Sequence, residues 1–123
     1  MGDRVWLRRA YEQPGRNDGA RILVDRLWPR GVARSGARLA EWVPDVAPSD
    51  DLRRWFGHAP DRWTEFRRRY RDELADNRDV VDALVERARQ GRITLVFAAA
   101  DRRRNNAVVL GEVLEQRLGE GDG

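Results

Sequence analysis

Two short polar segments hold the residue types best suited to chemistry. Residues 25–31 read Asp-Arg-Leu-Trp-Pro-Arg-Gly, and residues 101–106 read Asp-Arg-Arg-Arg-Asn-Asn. The planar guanidinium groups of Arg26 and Arg30 present forked donors that match carboxylate or phosphate oxygens. Arg8 and Arg9 add two further candidate anion contacts, and the run Arg102, Arg103 and Arg104 reads as either a third source of forks or a solvated loop tip. Asp25 is the candidate catalytic residue, a carboxylate that orients an arginine or accepts a proton. Trp28 offers a face for a planar group, and Asn105 and Asn106 stand where a helix N-terminus presents amide donors to an anion. With Gly31 these residues form the candidate ligand-binding set. Each also has a plainer role: Asp25 in an ion pair, Trp28 in the core, Pro29 and Gly31 in a turn, Asn105 as a helix cap. Asp25 with Asp101 lacks a third ligand of assured position, so no metal is assigned. The lone His58, next to Gly57, reads as a cap or surface residue before it reads as a base.

Each polar segment leaves an apolar run. Ile22, Leu23 and Val24 form a short buried strand that stops at Asp25, and Pro29 and Gly31 prevent its continuation. Residues 93–100 are apolar apart from Thr94, the pattern of a central parallel strand covered on both faces. A first strand is expected at residues 5–7, then a loop of turn formers at 11–19. Between the two main strands the spacing predicts a helical turn at 39–43 and a helix capped by Ser49 that ends near Gly57. Another helix is expected after Pro60, with Trp63, Phe66, Tyr70 and Leu74 on one stripe, and one over 80–88 closed by Gly91. A last helix carries Val109, Leu110, Val113, Leu114 and Leu118, before a flexible tail at 119–123.

The fold class is therefore α/β: a small, mostly parallel three-stranded sheet with four or five helices and a βαβ crossover between residues 21–25 and 93–100. A long helical crossover joins parallel strands, so both polar segments emerge at the carboxyl edge of the sheet, where open α/β sheets bind ligands.

Composition limits what such a site serves. A chain of 123 residues suits one domain, 1–123. All 24 basic residues are arginine, and the net charge is only +3, too weak for a whole-protein field that attracts nucleic acid. The surplus is local, since residues 1–40 hold nine arginines against four acids. The absence of cysteine excludes a disulfide framework, a thiol nucleophile and a Cys-rich zinc site. No cofactor is indicated. Neither a signal peptide nor a long apolar run is evident, so a cytoplasmic location without membrane contact is expected.

Three stretches together resemble a known family: RxYExPGxxDGxRILVDRLWPRG in 9–31, EWVPDVAPSDDLRRWFGH in 41–58 and TLVFAAADRRRNNAVVL in 94–110. The chain is similar to the YeaO-like family within domain of unknown function 488. The resemblance implies a small α/β protein, bacterial or archaeal, without an established activity. It falls on Arg9, Tyr11, Asp18, Gly19, Asp25, Arg26, Trp28, Pro29, Gly31, Glu41, Trp42, Pro48, Ser49, Phe56, Asn105 and Ala107. One departure stands out: relatives commonly carry Asn-His before Ala107, whereas this chain has Asn105-Asn106.

Three classes of function follow. The leading one is a pocket for an anionic or phosphate-bearing small molecule, with or without chemistry on it. The second is a nucleic-acid-binding or regulatory protein using the basic N-terminal third. The third is a homodimeric interaction module resting on Trp6, Trp42 or Trp55, should these be exposed.

Overall fold

Strand β4 (Ile93–Phe97) is buried at every position, because Ile-Thr-Leu-Val-Phe has a side chain to offer each face of a sheet. It lies inside a four-stranded sheet of order β1-β4-β2-β3, with β1 at Val5–Arg9, β2 at Ala20–Leu23 and β3 at Glu41–Trp42. All three pairings are parallel: Val5 lies against Ile93, Ala20 against Ile93, and Ile22 against Glu41. These facts come from a computed structural model that describes residues 2–121.

The sheet has one strand more than the sequence predicts. Glu41–Trp42 falls inside the segment expected as a helical turn, and the turn sits earlier, as α1 (Arg34–Ala37). Two residues hold no alternation to read, and their extended form comes from the ladder to Ile22 and Leu23. The strand expected over 93–100 ends at Phe97, so residues 98–100 belong to the polar exit.

The crossover from β3 to β4 runs through α2 (Asp50–Phe56), α3 (Trp63–Asp76) and α4 (Arg78–Gln90), and α5 (Asn106–Gly121) closes the chain. Ser49 caps α2 as expected, its hydroxyl accepting from the Leu52 amide at 3.2 Å. Phe66, Tyr70 and Leu74 are the buried stripe of α3, and Val81, Leu84, Val85 and Ala88 that of α4. These helices and α5 join Ile93, Leu95 and Phe97 in one core. On the opposite sheet face, Thr94 donates to the Asp18 carbonyl at 2.7 Å and Arg21 to the Ala37 carbonyl at 3.0 Å, so loops rather than long helices cover it. The flexible tail expected over 119–123 is helical as far as Gly121, and its last two residues lie outside the described range. No helix among the described residues is long and apolar enough to cross a membrane.

Candidate functional site

Asp25 follows the last buried residue of the β2 run, Val24, and its carboxylate fastens together the two polar exits. One oxygen accepts from the Ala98 amide just beyond β4 at 2.9 Å, and the other from the Asn106 side-chain amide at the start of α5 at 3.0 Å. Asn106 also donates to the Val24 carbonyl at 3.1 Å, and the Trp42 indole donates to the Asp25 carbonyl at 2.8 Å. A single residue thus links β2, β3, β4 and α5. Burial raises the Asp25 carboxyl above the ordinary aspartate value, while the Ala98 amide, Asn106 and the charge of His58 offset part of that rise.

Above Asp25 opens a cavity of about 690 Å³. Its walls come from residues 25–30, from the 98–101 exit with Asn105 and Asn106, and from the end of α2, including Arg53, Arg54, Phe56 and His58. The floor is aromatic, since Phe56 stacks on Phe66 with ring centroids 4.3 Å apart. The Trp28 ring is pinned on three sides. Its indole N–H donates to the Val32 carbonyl at 2.8 Å, the Arg34 guanidinium lies 4.4 Å from the ring centre, and Trp42 packs edge-on at 5.7 Å. Leu27, at the tip of the first loop, is 63% exposed.

The cations on these walls differ in how far they are already engaged. Arg26 makes 3.4 Å bonds to the Pro48 and Ala47 carbonyls and pairs with Asp50 at 3.7 Å, and Arg53 pairs with the same Asp50 at 3.4 Å. Arg30 and Arg54 are exposed and find no carboxylate partner among the described residues. Asp101 is turned to its own loop, where the Arg103 and Arg104 amides and the Arg104 guanidinium hold its carboxyl below the usual range.

Of the residues singled out in the sequence, Asp25, Arg26, Trp28, Arg30, Asn105 and Asn106 meet at this cavity. Asn105 is fully occupied as the cap of α5: its oxygen accepts from the Val108 amide at 3.0 Å and its nitrogen donates to the Asp101 carbonyl at 2.9 Å. Arg8, Arg9 and Gly31 stand outside the lining. Arg8 pairs with Asp18 at 3.1 Å, because β1 lies on the far side of β4. Arg9 donates to the Ala99 and Ala98 carbonyls at 2.9 and 3.3 Å and thereby braces the β4 exit from behind. Gly31 turns the chain with a φ of 77°. Arg102 pairs with Glu12 at 2.7 Å, away from the cavity. Trp6, Trp42 and Trp55 are half-buried; Arg92 lies 3.9 Å over Trp6, and Arg62 and Arg69 flank Trp55.

The contribution of α2 escaped the sequence reading. The sequence places Arg53 and Arg54 only on a helix, gives Phe56 no role beyond that helix and the family pattern, and reads His58 as a cap or surface residue. Gly57 and His58 both take left-handed φ values, 52° and 57°, a conformation strained for a residue with a Cβ and one that nothing in the sequence announces.

An open four-stranded parallel sheet joined by helices defines this as an α/β domain. The chain belongs to the family of domain of unknown function 488: residues 4–123 match the model described as the inactive DUF488-N3 subclade. Relatives include a protein of Mycobacterium tuberculosis and one of Mycobacterium bovis, each 40% identical over 116 residues, 93% of this chain and 96% of theirs, and each named only as uncharacterized. The YeaO protein of Escherichia coli, likewise uncharacterized by name, is 36% identical over 110 residues, covering 89% of this chain and 96% of its own. No solved structure gives a significant match.

Proposed function

We propose that this protein binds a small anionic or phosphate-bearing molecule in the cavity above Asp25 and holds it without turnover. The observation that carries the reading is the pair Arg30 and Arg54, two exposed guanidinium groups on a concave wall with no carboxylate partner among the described residues. Several arginines elsewhere are matched, Arg68 and Arg69 with Glu65, Arg67 and Arg71 with Glu112, Arg87 with Glu41, and what sets Arg30 and Arg54 apart is that they line the same cavity. Two features favour binding over chemistry. Both oxygens of Asp25 are engaged in holding Ala98 and Asn106, which suits an organiser of the site better than a proton acceptor. Asn106 stands where the family resemblance implies histidine, and its amide does not titrate near neutral pH. The description of the matching subclade as inactive agrees with this.

The test is a thermal-shift titration with inorganic phosphate and pyrophosphate against chloride at matched ionic strength. A ligand at ten times its Kd stabilises by about 1.4 kcal/mol, an upward shift of several degrees for a domain of this size. The shift is expected in the parent and lost in the Arg30→Ala/Arg54→Ala double variant. No shift, or an equal one in the variant, would remove the reading.

A further inference from the structure

We infer that the anion is one end of a larger ligand whose other end is a flat aromatic ring, a phosphate ester of the nucleoside monophosphate class. This rests on the anion-binding reading and specifies its ligand.

The first observation is size. A cavity of about 690 Å³ holds the volume of roughly twenty water molecules at about 30 Å³ each, several times the space an oxyanion fills. It falls within the range of about 300–1,000 Å³ found for sites that enclose a whole organic ligand.

The second observation is how charge and apolar surface share the walls. The 25–31 loop brings Arg30 together with Leu27 and Trp28, and the end of α2 brings Arg54 together with Phe56. Each of the two elements therefore offers a cation and an apolar group to the same space. A bare oxyanion would use only the cations and leave the rest wet. Leu27, 63% exposed and lining the cavity, adds to Trp28 and Phe56 an apolar surface that a bound ring would cover.

The third is rigidity. The Trp28 indole is fixed by Val32, Arg34 and Trp42, and Phe56 by its stack on Phe66. Rings held in place before binding lose little freedom when a planar group packs on them. Such a surface selects by shape, whereas the arginines select by charge.

The experiment compares calorimetric titrations of the full chain with the four nucleoside 5′-monophosphates, their parent nucleosides and inorganic phosphate. At least one monophosphate is expected to bind ten-fold or more tightly than both its nucleoside and phosphate. Leu27→Ser, at an exposed position where folding is safe, is expected to weaken the monophosphate several-fold and leave phosphate unchanged. Monophosphates and phosphate binding alike, with Leu27→Ser silent, would overturn this inference and leave the anion site standing. A nucleoside binding as tightly as its monophosphate would overturn the anion reading itself, and no binding by any probe would overturn both.

Discussion

His58 sits with a left-handed backbone, φ 57°, directly after Gly57 at φ 52°. For a residue with a Cβ this conformation costs roughly 1–2 kcal/mol relative to the right-handed one, and glycine would avoid it. The strain holds an imidazole at the cavity, where its charge favours the ionised form of Asp25. His58→Gly is therefore expected to cost no stability, with a gain of up to about 1 kcal/mol, yet to weaken phosphate binding several-fold. Urea unfolding and phosphate titration of the same sample measure both quantities. A variant that is less stable and binds normally would reduce His58 to a surface residue. Asp25 and Asn106 show the complementary case at this scale: their polar atoms are spent on each other and on backbone groups, so they shape the site from beneath.

At the scale of elements, α2 reaches the cavity because α3 holds its start. Glu73 accepts the Ser49 amide at 2.8 Å and the Ser49 hydroxyl at 2.6 Å, while Tyr70 donates to the Val46 carbonyl at 2.6 Å. Burial, reinforced by the nearby charges of Asp25 and Glu73, pushes the Tyr70 phenol far above its usual range, so it stays a donor. The entry into β2 depends on Gly19 in a different way. Its φ is 66°, and a Cβ there would stand 2.1 Å from the Arg92 carbonyl oxygen. Gly19→Ala is expected to destabilise by about 2–5 kcal/mol, the left-handed backbone penalty added to that of overpacking. Gly31→Ala is the control, because φ is 77° there but nothing lies within 4 Å of the added carbon. It should lose only about 1–2 kcal/mol. Equal losses in denaturant midpoint for the two variants would refute the role of the Arg92 contact.

Over the whole molecule, the N-terminal arginine surplus is largely consumed inside the protein. Arg4 donates to the Ala88 and Arg89 carbonyls, Arg9 to those of Ala98 and Ala99, and Arg8 and Arg21 flank Asp18, which is 1% exposed. Burial opposes ionisation of Asp18, but the Gly15 amide, Arg21 and Arg8 together outweigh it and hold the carboxyl below its ordinary 3.8. A lowered carboxyl contributes stability that is complete above that value and is lost as pH falls through the folded one. Asp25, raised by burial, has the opposite sign: its contribution is complete below 3.8 and fades as pH rises through the raised value. Asp18→Asn should therefore destabilise the protein by about 3–5 kcal/mol near neutrality, by stranding buried Arg21, and flatten the acid limb of the stability curve. Urea midpoints from pH 7 down to about pH 2.5 measure this, and parallel curves for parent and variant would count against it.

Periodicity and turn chemistry, which are local, were enough to determine the parallel α/β class, a buried strand starting at Ile93 though not its end at Phe97, the Ser49 cap and the stripes of α3 and α4. Strand polarity follows from the long helical crossover, so the meeting of residues 25–30 with Asn105 and Asn106 was legible too. Tertiary structure alone decided that 41–42 is a strand, since two residues take extended form only from the neighbour they pair with. It also decided which arginines remain unmatched and that α2 supplies the second wall. A guanidinium is spoken for or not according to distances between groups far apart in the chain: Arg8 and Arg9 turn inward, and Arg30 and Arg54 face the cavity.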